Sequence, residues 1–348
     1  MNFKNEIEQF DTKEIVDSQY LNWDSFKNKT ILVTGATGLI GSQIVKSFLY
    51  ANEIFNTNIK IVVAVRNREK AEKIFGDVDL IYVCQDITKP LECSENVDFI
   101  IHTANSTSSA SFVENPVETI DSILVGTKNV LEFAREKSVE ALVYLSSMEI
   151  YGEIPLERIE PLAEKDYGQV DFLKPRSSYQ EGKRMAECLC SAYASEYNVP
   201  VKIARLAQTI GAGVDYNDNR VFAMFARNIV EKKDIVLKTK GETVRSYCYI
   251  TDAVIAILNL LIKGNAGEAY NVANPETTCS IKDMAEMLCN KYENSKLVFK
   301  LEQDNQYLGT LKYYLDTSKI EKLGWKAEVG LEEAYQRLLV SLEMQNKL

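Results

Sequence analysis

From residue 29 onward, short apolar runs alternate with longer segments in which apolar residues recur at helical spacing. Residues 59–65 (Ile-Lys-Ile-Val-Val-Ala-Val) are almost continuously apolar, as expected for a parallel strand that is covered on both faces. Strands that alternate with helices predict βαβ units, and therefore an α/β fold with a doubly wound parallel sheet. The predicted strands are 30–34, 59–65, 80–83, 98–102, 141–146 and 201–206, and the clearest helices are 117–137 and 178–197.

The alternation becomes less regular after residue 207. We expect a dinucleotide-binding domain at 29–206, with returning segments near 241–255 and 268–274. The rest, 207–348, is expected to form mainly a smaller, interleaved α/β lobe over the carboxyl edge of the sheet, where ligands bind in such folds. Residues 1–28 predict a helical extension on the outside of the main domain. The helices expected in the second lobe lie near 220–231, 252–263, 281–291 and 331–344.

A glycine-rich turn joins the first predicted strand to the first predicted helix. Its sequence, Thr34-Gly-Ala-Thr-Gly-Leu-Ile-Gly41, has the spacing G-x-x-G-x-x-G. Glycine permits a tight turn and lets a pyrophosphate approach the backbone, and the new helix offers free N–H groups. An ordinary glycine turn is the alternative, but the order of strand, turn and helix favours a dinucleotide site. The candidate phosphate-binding residues are Gly35, Thr37, Gly38, Leu39, Ile40 and Gly41.

Basic residues follow the second predicted strand, where the commonest dinucleotide fingerprint has an acid for the ribose hydroxyls of NAD. Arg66 and Arg68 either clasp a 2′-phosphate, which favours NADP, or are solvated loop charges. His102 is expected to be structural, because nothing nearby in the sequence would activate it. The other candidate cofactor contacts follow the third and fourth strands: Asp86, Ile87, Thr103 and Ala104.

A tyrosine and a lysine four residues apart, Tyr179 and Lys183, share one face of the helix predicted at 178–197. A tyrosine with its ordinary pKa of about 10 is a weak base at neutral pH, but an adjacent ammonium and a nicotinamide cation both favour the phenolate. Such a phenolate accepts a hydroxyl proton while hydride leaves the same carbon. Tyr and Lys also fall at this spacing by chance. Ser147, at the end of the fifth predicted strand, strengthens the hypothesis because its hydroxyl would meet the same substrate oxygen.

Composition narrows the function classes. The chain has 348 residues and a net charge of −10, which disfavours nucleic acid and anionic membrane surfaces as partners. Seven cysteines without a C-x-x-C pair fit free thiols in a reducing cytoplasm. A single histidine excludes zinc sites of the H-E-x-x-H type, and no metal site is predicted. Neither a signal peptide nor an apolar run of about 18 residues is found, so no membrane span is expected.

The glycine turn, Ser147, Tyr179 and Lys183 together resemble the extended short-chain dehydrogenase/reductases, the NAD(P)-dependent epimerases and dehydratases of nucleotide sugars. The resemblance covers nearly everything from residue 29 to about 340. It implies a Rossmann fold, a bound NAD or NADP that is recycled, and oxidation at C4 of a hexose followed by its reduction. The most specific stretches are 145–152 (LSSMEIYG), 175–187 (PRSSYQEGKRMAE), 244–252 (VRSYCYITD) and 270–275 (YNVANP).

Within this family the likeness is greatest to UDP-glucuronate decarboxylases. Those enzymes have a Thr-x-Glu before the Tyr-Gly and an arginine just before the catalytic tyrosine, which correspond to Ser147, Glu149 and Arg176. The resemblance therefore implies that Ser147, Glu149, Tyr179 and Lys183 are catalytic. The residues implied in substrate binding, with Arg205 and Arg245 facing the diphosphate or sugar, are Arg176, Arg205, Gln208, Arg220, Val221 and Arg245.

The subtypes differ in the fate of the 4-keto sugar. A glucuronate becomes a β-keto acid that loses CO₂, whereas a 4-epimerase needs only room for the sugar to rotate. Met148 stands where a 4,6-dehydratase has an aspartate, which argues against dehydration. Gln208 and Arg66 stand where the family usually has Asn and Asp, which leaves substrate and cofactor preference open. Decarboxylation of UDP-glucuronate is the first expectation, 4-epimerisation the alternative, and a non-catalytic NADP-binding relative the last.

The resemblance also implies a homodimer. In this family the two helices that correspond to 117–137 and 178–197 commonly pair across a two-fold axis. Leu189, Ala192 and Tyr193 are the apolar positions expected at that interface.

Overall fold

A computed structural model of the protein describes residues 3, 5–105, 109–302 and 310–346. In chain order the strands of these residues are β1 (Thr30–Thr34), β2 (Lys60–Val65), β3 (Ile81–Cys84), β4 (Phe99–His102), β5 (Ala141–Ser147), β6 (Val201–Leu206), β7 (Gln208–Ile210), β8 (Ile235–Leu237), β9 (Val244–Tyr249), β10 (Ala269–Val272), β11 (Asn274–Ser280) and β12 (Leu297–Phe299).

The helices connect these strands and cover the sheets. None of the described helices is long and apolar enough to cross a membrane. In chain order they are α1 (Glu6–Val16), α2 (Leu39–Phe55), α3 (Arg68–Phe75), α4 (Ser109–Glu114), α5 (Pro116–Lys137), α6 (Ser177–Tyr197), α7 (Val221–Val230), α8 (Ile250–Lys263), α9 (Ile281–Lys291), α10 (Ser318–Glu321) and α11 (Leu331–Asn346).

Seven parallel strands form the main sheet, in the spatial order β3-β2-β1-β4-β5-β6-β10. The chain runs outward from β1 to β3 and then crosses back to β4, so the winding direction changes between β1 and β4. In such sheets the loops at this point diverge and leave a crevice at the carboxyl edge. The predicted α/β fold with a doubly wound parallel sheet is confirmed.

The sheet separates two apolar cores. Ile31 and Val33 of β1 face one core, and Leu32 between them faces the other, as the two-residue period of a strand requires. All three side chains are fully buried, which explains why the strand is apolar at every position. Helices α2 and α8 cover the first face, and α5 and α6 pack against each other on the second.

Tyr193 of α6 belongs to this second core and not to a surface. It is 7% exposed, and its hydroxyl donates to Glu132 of α5 at 2.5 Å. The expectation that Tyr193 lies at a subunit interface is therefore wrong, because the side chain is already packed within its own chain. Ala192 is exposed and Leu189 is half-buried.

The second lobe is interleaved with the main domain. In its larger sheet β9 lies between β7 and β11, and β8 pairs with β12 in a separate ribbon. From the same half of the chain, β10 joins the edge of the main sheet beside β6, and α8 packs against β5 and β6. Of the segment near 241–255, β9 thus belongs to the small sheet and α8 to the main domain.

The N-terminal extension is built into the molecule. The sequence predicts that residues 1–28 pack on the outside of the main domain, and α1 lies against α2 and α8 of that domain and also against α11. Asp11 is fully buried, where it accepts hydrogen bonds from Tyr249 at 2.8 Å and Arg337 at 3.0 Å. Helix α1 therefore joins the main domain to the C-terminal helix.

Candidate active site

The glycine turn packs too tightly for a side chain at two of its positions. After β1, Gly35 has a φ of 64°, a backbone conformation that favours glycine. A Cβ on Gly35 would lie 2.7 Å from the Cα of Ala104, and a Cβ on Gly41 would lie 2.4 Å from the carbonyl oxygen of Gly35. The turn, with Thr37 at its tip, therefore lies directly against the loop that follows β4.

The N-terminus of α2 is open to a ligand. Its N-cap residue, Gly38, provides no side-chain hydrogen bond, and the first turn contains no acidic residue. A Cβ on Gly38 would meet only the carbonyl oxygen of Gly35, at 3.3 Å. The first N–H groups of a helix have no intrahelical acceptors and carry partial positive charge. These residues fit the pyrophosphate of a nicotinamide dinucleotide.

The two arginines at the end of β2 have different surroundings. Arg68 donates from Nε to Glu72 at 2.8 Å, whereas Arg66 is exposed. Hydrogen bonds from the backbone and hydroxyl of Thr88 hold the pKa of Asp86 below its ordinary value, and the charge of Arg66 lowers it further. Arg66 and Asp86 thus lie near each other at the carboxyl ends of β2 and β3, outside the cavity described below. This position suits the adenosine half of a dinucleotide.

His102 is a structural residue at the end of β4. Its Nδ1 lies 2.7 Å from Oγ1 of Thr34 and its Nε2 lies 3.3 Å from Oγ1 of Thr127. Burial lowers the pKa of His102 to about 3, and the charge of Lys183 contributes to the same shift. The ring is therefore neutral at physiological pH and links the central strands.

Tyr179, Lys183 and Ser147 meet where β5 ends and α6 begins. The Nζ of Lys183 donates to the carbonyl oxygen of Leu145 at 2.6 Å and lies 5.8 Å from the centroid of the Tyr179 ring. That ring stacks on Phe112 with the centroids 4.2 Å apart. The side chains of Tyr179 and Ser147 line the same cavity, and Ser147 lowers the pKa of Tyr179, so both are placed to meet one substrate oxygen.

Burial dominates the ionisation of these groups. Burial raises the pKa of Tyr179, the charge of Glu149 raises it further, and the nearby hydroxyl of Ser147 lowers it. Burial lowers the pKa of Lys183 to about 7, against the attraction of Glu187. Tyr179 is thus protonated in the ligand-free protein, and a cation beside its ring would favour the phenolate.

Glu149 is held in place by Arg176. The backbone N–H of Glu149 donates to the Ser147 hydroxyl at 3.2 Å and starts the short 3-10 turn Met148–Tyr151. Its carboxylate accepts from Nη2 of Arg176 at 2.7 Å. The Nη1 of Arg176 is buried and has no hydrogen-bond partner among the residues that the structure describes. Glu149 is therefore a paired carboxylate.

A cavity of about 220 Å³ lies between the glycine turn and the end of β5. Both lobes contribute to it, because β7 and the start of α7 close the side opposite the main sheet. The candidate site residues that line it are Gly38, Leu39, Ile40, Gly41, Thr103, Ser147, Glu149, Tyr179, Lys183, Gln208 and Arg220.

Arg205 is not part of this cavity. It is 2% exposed, and its Nη2 donates to Glu187 at 2.7 Å while its Nη1 donates to the carbonyl oxygen of Glu164 at 2.7 Å. The expectation that Arg205 faces the substrate is therefore wrong, because the guanidinium is consumed by partners inside the protein.

Other candidate residues also lie away from the cavity lining. Val221, the first residue of α7, is 38% exposed, and Arg245 is half-buried in β9. Arg176 contacts the carboxylate of Glu149 and does not itself line the cavity. Ile87 lies against α5, where its carbonyl oxygen accepts a hydrogen bond from Asn129 at 2.9 Å.

Eight residues that line the cavity were not among the predicted site residues: Asn105, Phe112, Leu145, Ser146, Met148, Leu206, Ala207 and Thr209. Thr103 and Ala104 were predicted as cofactor contacts because they follow β4, and Asn105 follows the same strand by three residues. No sequence signal marks Phe112, because only tertiary packing places α4 over Tyr179. Met148 is 2% exposed and adds an apolar side chain beside Glu149.

The sequence of residues 31–273 matches the profile of the NAD dependent epimerase/dehydratase family. UDP-glucuronic acid decarboxylase 3 of Arabidopsis thaliana is 31% identical over 313 residues, which cover 88% of this chain and 86% of that protein. UDP-glucuronic acid decarboxylase 1 of Xenopus tropicalis is 28% identical over 312 residues, 89% of this chain and 71% of that protein.

Solved structures share the fold at lower identity. A UDP-glucose 4-epimerase from Thermotoga maritima has a TM-score of 0.74 and 22% identity, covering 91% of this chain and 99% of its own. A dTDP-glucose 4,6-dehydratase from Bacillus anthracis, solved with NAD, has a TM-score of 0.71 and 21% identity, covering 92% of this chain and 97% of its own.

Proposed function

Since the chain belongs to the NAD dependent epimerase/dehydratase family, we propose that it decarboxylates UDP-glucuronate. One observation carries the proposal: Ser147, Glu149 and Tyr179 line the same cavity as the glycine turn, in a chain whose curated relatives are UDP-glucuronic acid decarboxylases. A bound NAD or NADP supplies a hydride acceptor for C4 of the sugar and returns the hydride in the same turnover.

The side chains of this wall carry the proton transfers. Tyr179 accepts the proton of the C4 hydroxyl as that carbon is oxidised, and Ser147 hydrogen-bonds the same oxygen. Lys183 lies one helical turn from Tyr179 and, when protonated, stabilises the phenolate. The oxidised sugar is a β-keto acid: its C5–C6 bond breaks, CO₂ leaves, and C5 takes up a proton.

Glu149 lies where it would orient the leaving carboxylate or protonate C5. Its pairing with Arg176 at 2.7 Å favours orientation of the substrate carboxylate through the arginine over direct proton transfer.

We assign the diphosphate of the substrate to Arg245, which lies on β9 of the second lobe. Replacing Arg245 with Leu should raise the KM for the nucleotide sugar and leave the Kd for the dinucleotide unchanged.

A 4-epimerase is the second candidate. Epimerisation would need only Ser147, Tyr179 and Lys183. Because Glu149 is paired with Arg176, Tyr179 is the one remaining proton donor that we assign among the described residues of the cavity lining. The apolar side chain of Met148 in the same wall disfavours a 4,6-dehydratase, which needs a carboxylate there.

One experiment separates these reactions. The protein, with its nucleotide identified after denaturation, is incubated with UDP-glucuronate, UDP-glucose and UDP-N-acetylglucosamine, and products are read by mass. Loss of CO₂ from UDP-glucuronate supports the proposal, and an isomer of unchanged mass indicates the epimerase. Because the hydride returns to the sugar, absorbance at about 340 nm should not rise with product. No conversion of any sugar by cofactor-loaded protein would reject both reactions.

We also propose a homodimer in the cytoplasm. Helices α5 and α6 expose Val117 (64%) and Met185 (52%), which supports pairing through this face. All seven cysteines are free thiols, which supports a reducing compartment. Met185→Glu should convert a dimer into a monomer in sedimentation, whereas Ile54→Glu, an exposed apolar position on α2, should not. A monomeric wild-type protein at micromolar concentration would contradict the proposal.

A further inference from the structure

Asn105 lies in the loop after β4, between the glycine turn and the catalytic side chains. In the sheet, β4 lies between β1, which leads into the glycine turn, and β5, which ends at Ser147. Asn105 lines the cavity together with Gly38 on one side and Tyr179 on the other. A ligand that reaches from the turn to Tyr179 has to pass this residue.

The carboxamide of Asn105 has no hydrogen-bond partner within residues 3, 5–105, 109–302 and 310–346. Both Nδ2 and Oδ1 are buried, and neither has a hydrogen-bond partner among the residues that the structure describes. A primary amide offers two donors and one acceptor, and buried polar groups are nearly always satisfied. Other buried atoms without partners, such as Oδ1 of Asn259 and Nε1 of Trp325, belong to residues that do not line the cavity. The free amide is therefore a feature of the site.

We propose that Asn105 binds the nicotinamide half of the dinucleotide, through the ribose hydroxyls or the carboxamide of the ring. Both groups contain donors and acceptors, as the free amide of Asn105 requires. The position agrees: a dinucleotide with its phosphates at α2 and its reactive ring beside Tyr179 has its second ribose at the end of β4. This inference rests on the cofactor-dependent chemistry proposed above but not on the identity of the sugar.

Fragment binding tests the assignment. Affinities for ADP, ADP-ribose and NAD, and for the corresponding 2′-phosphorylated ligands, are measured by calorimetry on wild-type protein, Asn105→Leu and Asn105→Asp. Leucine removes the hydrogen-bonding groups at similar volume, and aspartate keeps the shape without the donors. Loss of two hydrogen bonds should weaken NAD binding by about tenfold or more. ADP, which lacks the nicotinamide riboside, should bind both variants as it binds wild-type.

ADP-ribose locates the contact. If the variants bind both ADP-ribose and NAD more weakly, Asn105 binds the ribose hydroxyls. If they bind only NAD more weakly, Asn105 binds the carboxamide of the ring. Either result supports the proposal. Gln208→Leu is the matched control, because it removes an amide from the opposite lobe of the same cavity and should leave NAD affinity unchanged.

Stability of the ligand-free protein gives a second readout. Removing an unsatisfied buried amide should leave the melting temperature of Asn105→Leu equal to or above that of wild-type without ligand. The NAD-induced rise in melting temperature should be smaller for Asn105→Leu than for wild-type protein.

Unchanged NAD affinity in a folded variant, or ADP binding weakened as much as NAD binding, would overturn the proposal. If the leucine variant fails to fold, Asn105→Asp decides it in the same assays. A changed KM for the sugar with unchanged NAD affinity would assign Asn105 to the substrate and reject the inference, without affecting the proposed function.

Discussion

At the residue scale, burial keeps the hydroxyl of Tyr179 protonated in the ligand-free protein, and Lys183 alone does not offset this effect. The Nζ of Lys183 is engaged by the carbonyl oxygen of Leu145, and its pKa is lowered to about 7. The charge that makes Tyr179 a base must therefore come partly from the ligand. A tyrosine that becomes basic only when the cofactor is bound avoids carrying a buried phenolate in the empty protein.

Tyr179→Phe should reduce turnover by about 10²–10⁴-fold, the usual contribution of a general acid–base group. The dinucleotide should stay bound, because its phosphates are held at the glycine turn. Steady-state kinetics and the nucleotide released on denaturation measure the two effects. Tyr193→Phe on the same helix removes a hydroxyl that contacts Glu132 outside the cavity, and it should retain activity. Near-normal turnover of Tyr179→Phe would show that the assignment is wrong.

Arg205→Leu should destabilise the protein by about 3–5 kcal/mol, because it leaves the carboxylate of Glu187 buried without its cation. Urea unfolding measures this loss. Glu187→Gln combined with Arg205→Leu should recover part of the stability, since the unpaired charge is then gone. If Arg205→Leu is as stable as wild-type protein but has a raised KM for the nucleotide sugar, Arg205 binds the substrate and the structural assignment is wrong.

Sequence reasoning at this scale succeeded where chemistry fixes the spacing and failed where tertiary partners decide. Ser147, Tyr179 and Lys183 were found from their order and spacing, and they do line one cavity. Arg205 was misplaced because its partner Glu187 is set by the packing of α6 on β6, which a single sequence does not reveal. For Asn105, nothing in the sequence shows that its amide lacks partners.

At the element scale, α1 is the part that the sequence described least well. Its buried face carries Glu8, Asp11 and Thr12 as well as Ile15 and Val16, so no clear apolar stripe marks it. Asp11 accepts hydrogen bonds from Tyr249 and Arg337. Thr12 donates to the carbonyl oxygen of Glu8 and accepts from Gln43 of α2. Glu8 pairs with Lys46 of α2 at 2.7 Å. Helix α1 thus supports the helix whose N-terminus lines the cavity.

Asp11→Asn should change how stability depends on pH. Burial raises the pKa of Asp11 from 3.8 to about 7, more than its contacts with Tyr249 and Arg337 lower it. The stabilisation from its protonated form is fully present below pH 3.8 and is lost as pH rises through about 7. Wild-type protein should lose about 1.4 kcal/mol from this group between pH 6 and 8.

The asparagine variant lacks this dependence, so its stability relative to wild-type should rise over the same interval. Urea unfolding at several pH values gives the slope. Asp17→Asn, at an exposed position that ends the same helix, is the control and should leave the slope unchanged. Equal slopes for Asp11→Asn and wild-type would mean that Asp11 is ionised throughout the interval.

At the scale of the whole molecule, the positions of the first six strands along the chain follow from the sequence, because each is a short apolar run between helical segments. The seventh is less accessible to such reasoning, since β10 joins β6 from more than sixty residues later in the chain. The small sheets of the second lobe include strands of three residues, too short for periodicity to mark. One of them, β7, brings Gln208 to the cavity, whereas Arg220 reaches it from the start of α7, a helix that the sequence predicts.

His102 sets the response of the whole molecule to acid, because it is buried among the central strands. Burial lowers its pKa from 6.5 to about 3, so its stabilising effect is present above pH 6.5 and is lost as pH falls toward 3. The loss should reach about 1.4 kcal/mol by pH 5.5. This sign is opposite to that of Asp11, so between pH 3.8 and 6.5 the loss from His102 offsets the gain from protonated Asp11.

His102→Gln should therefore remove the loss of stability on the acid side that comes from His102. The variant should be less stable than wild-type at pH 8, where the neutral ring is well packed, and the difference should narrow as the pH falls to 5.5. The double variant His102→Gln with Asp11→Asn should lack both contributions, because the two residues share no partner. Unfolding free energies measured from pH 5 to 8 test this. A His102→Gln profile parallel to wild-type below pH 6.5 would contradict a buried neutral imidazole at the centre of the sheet.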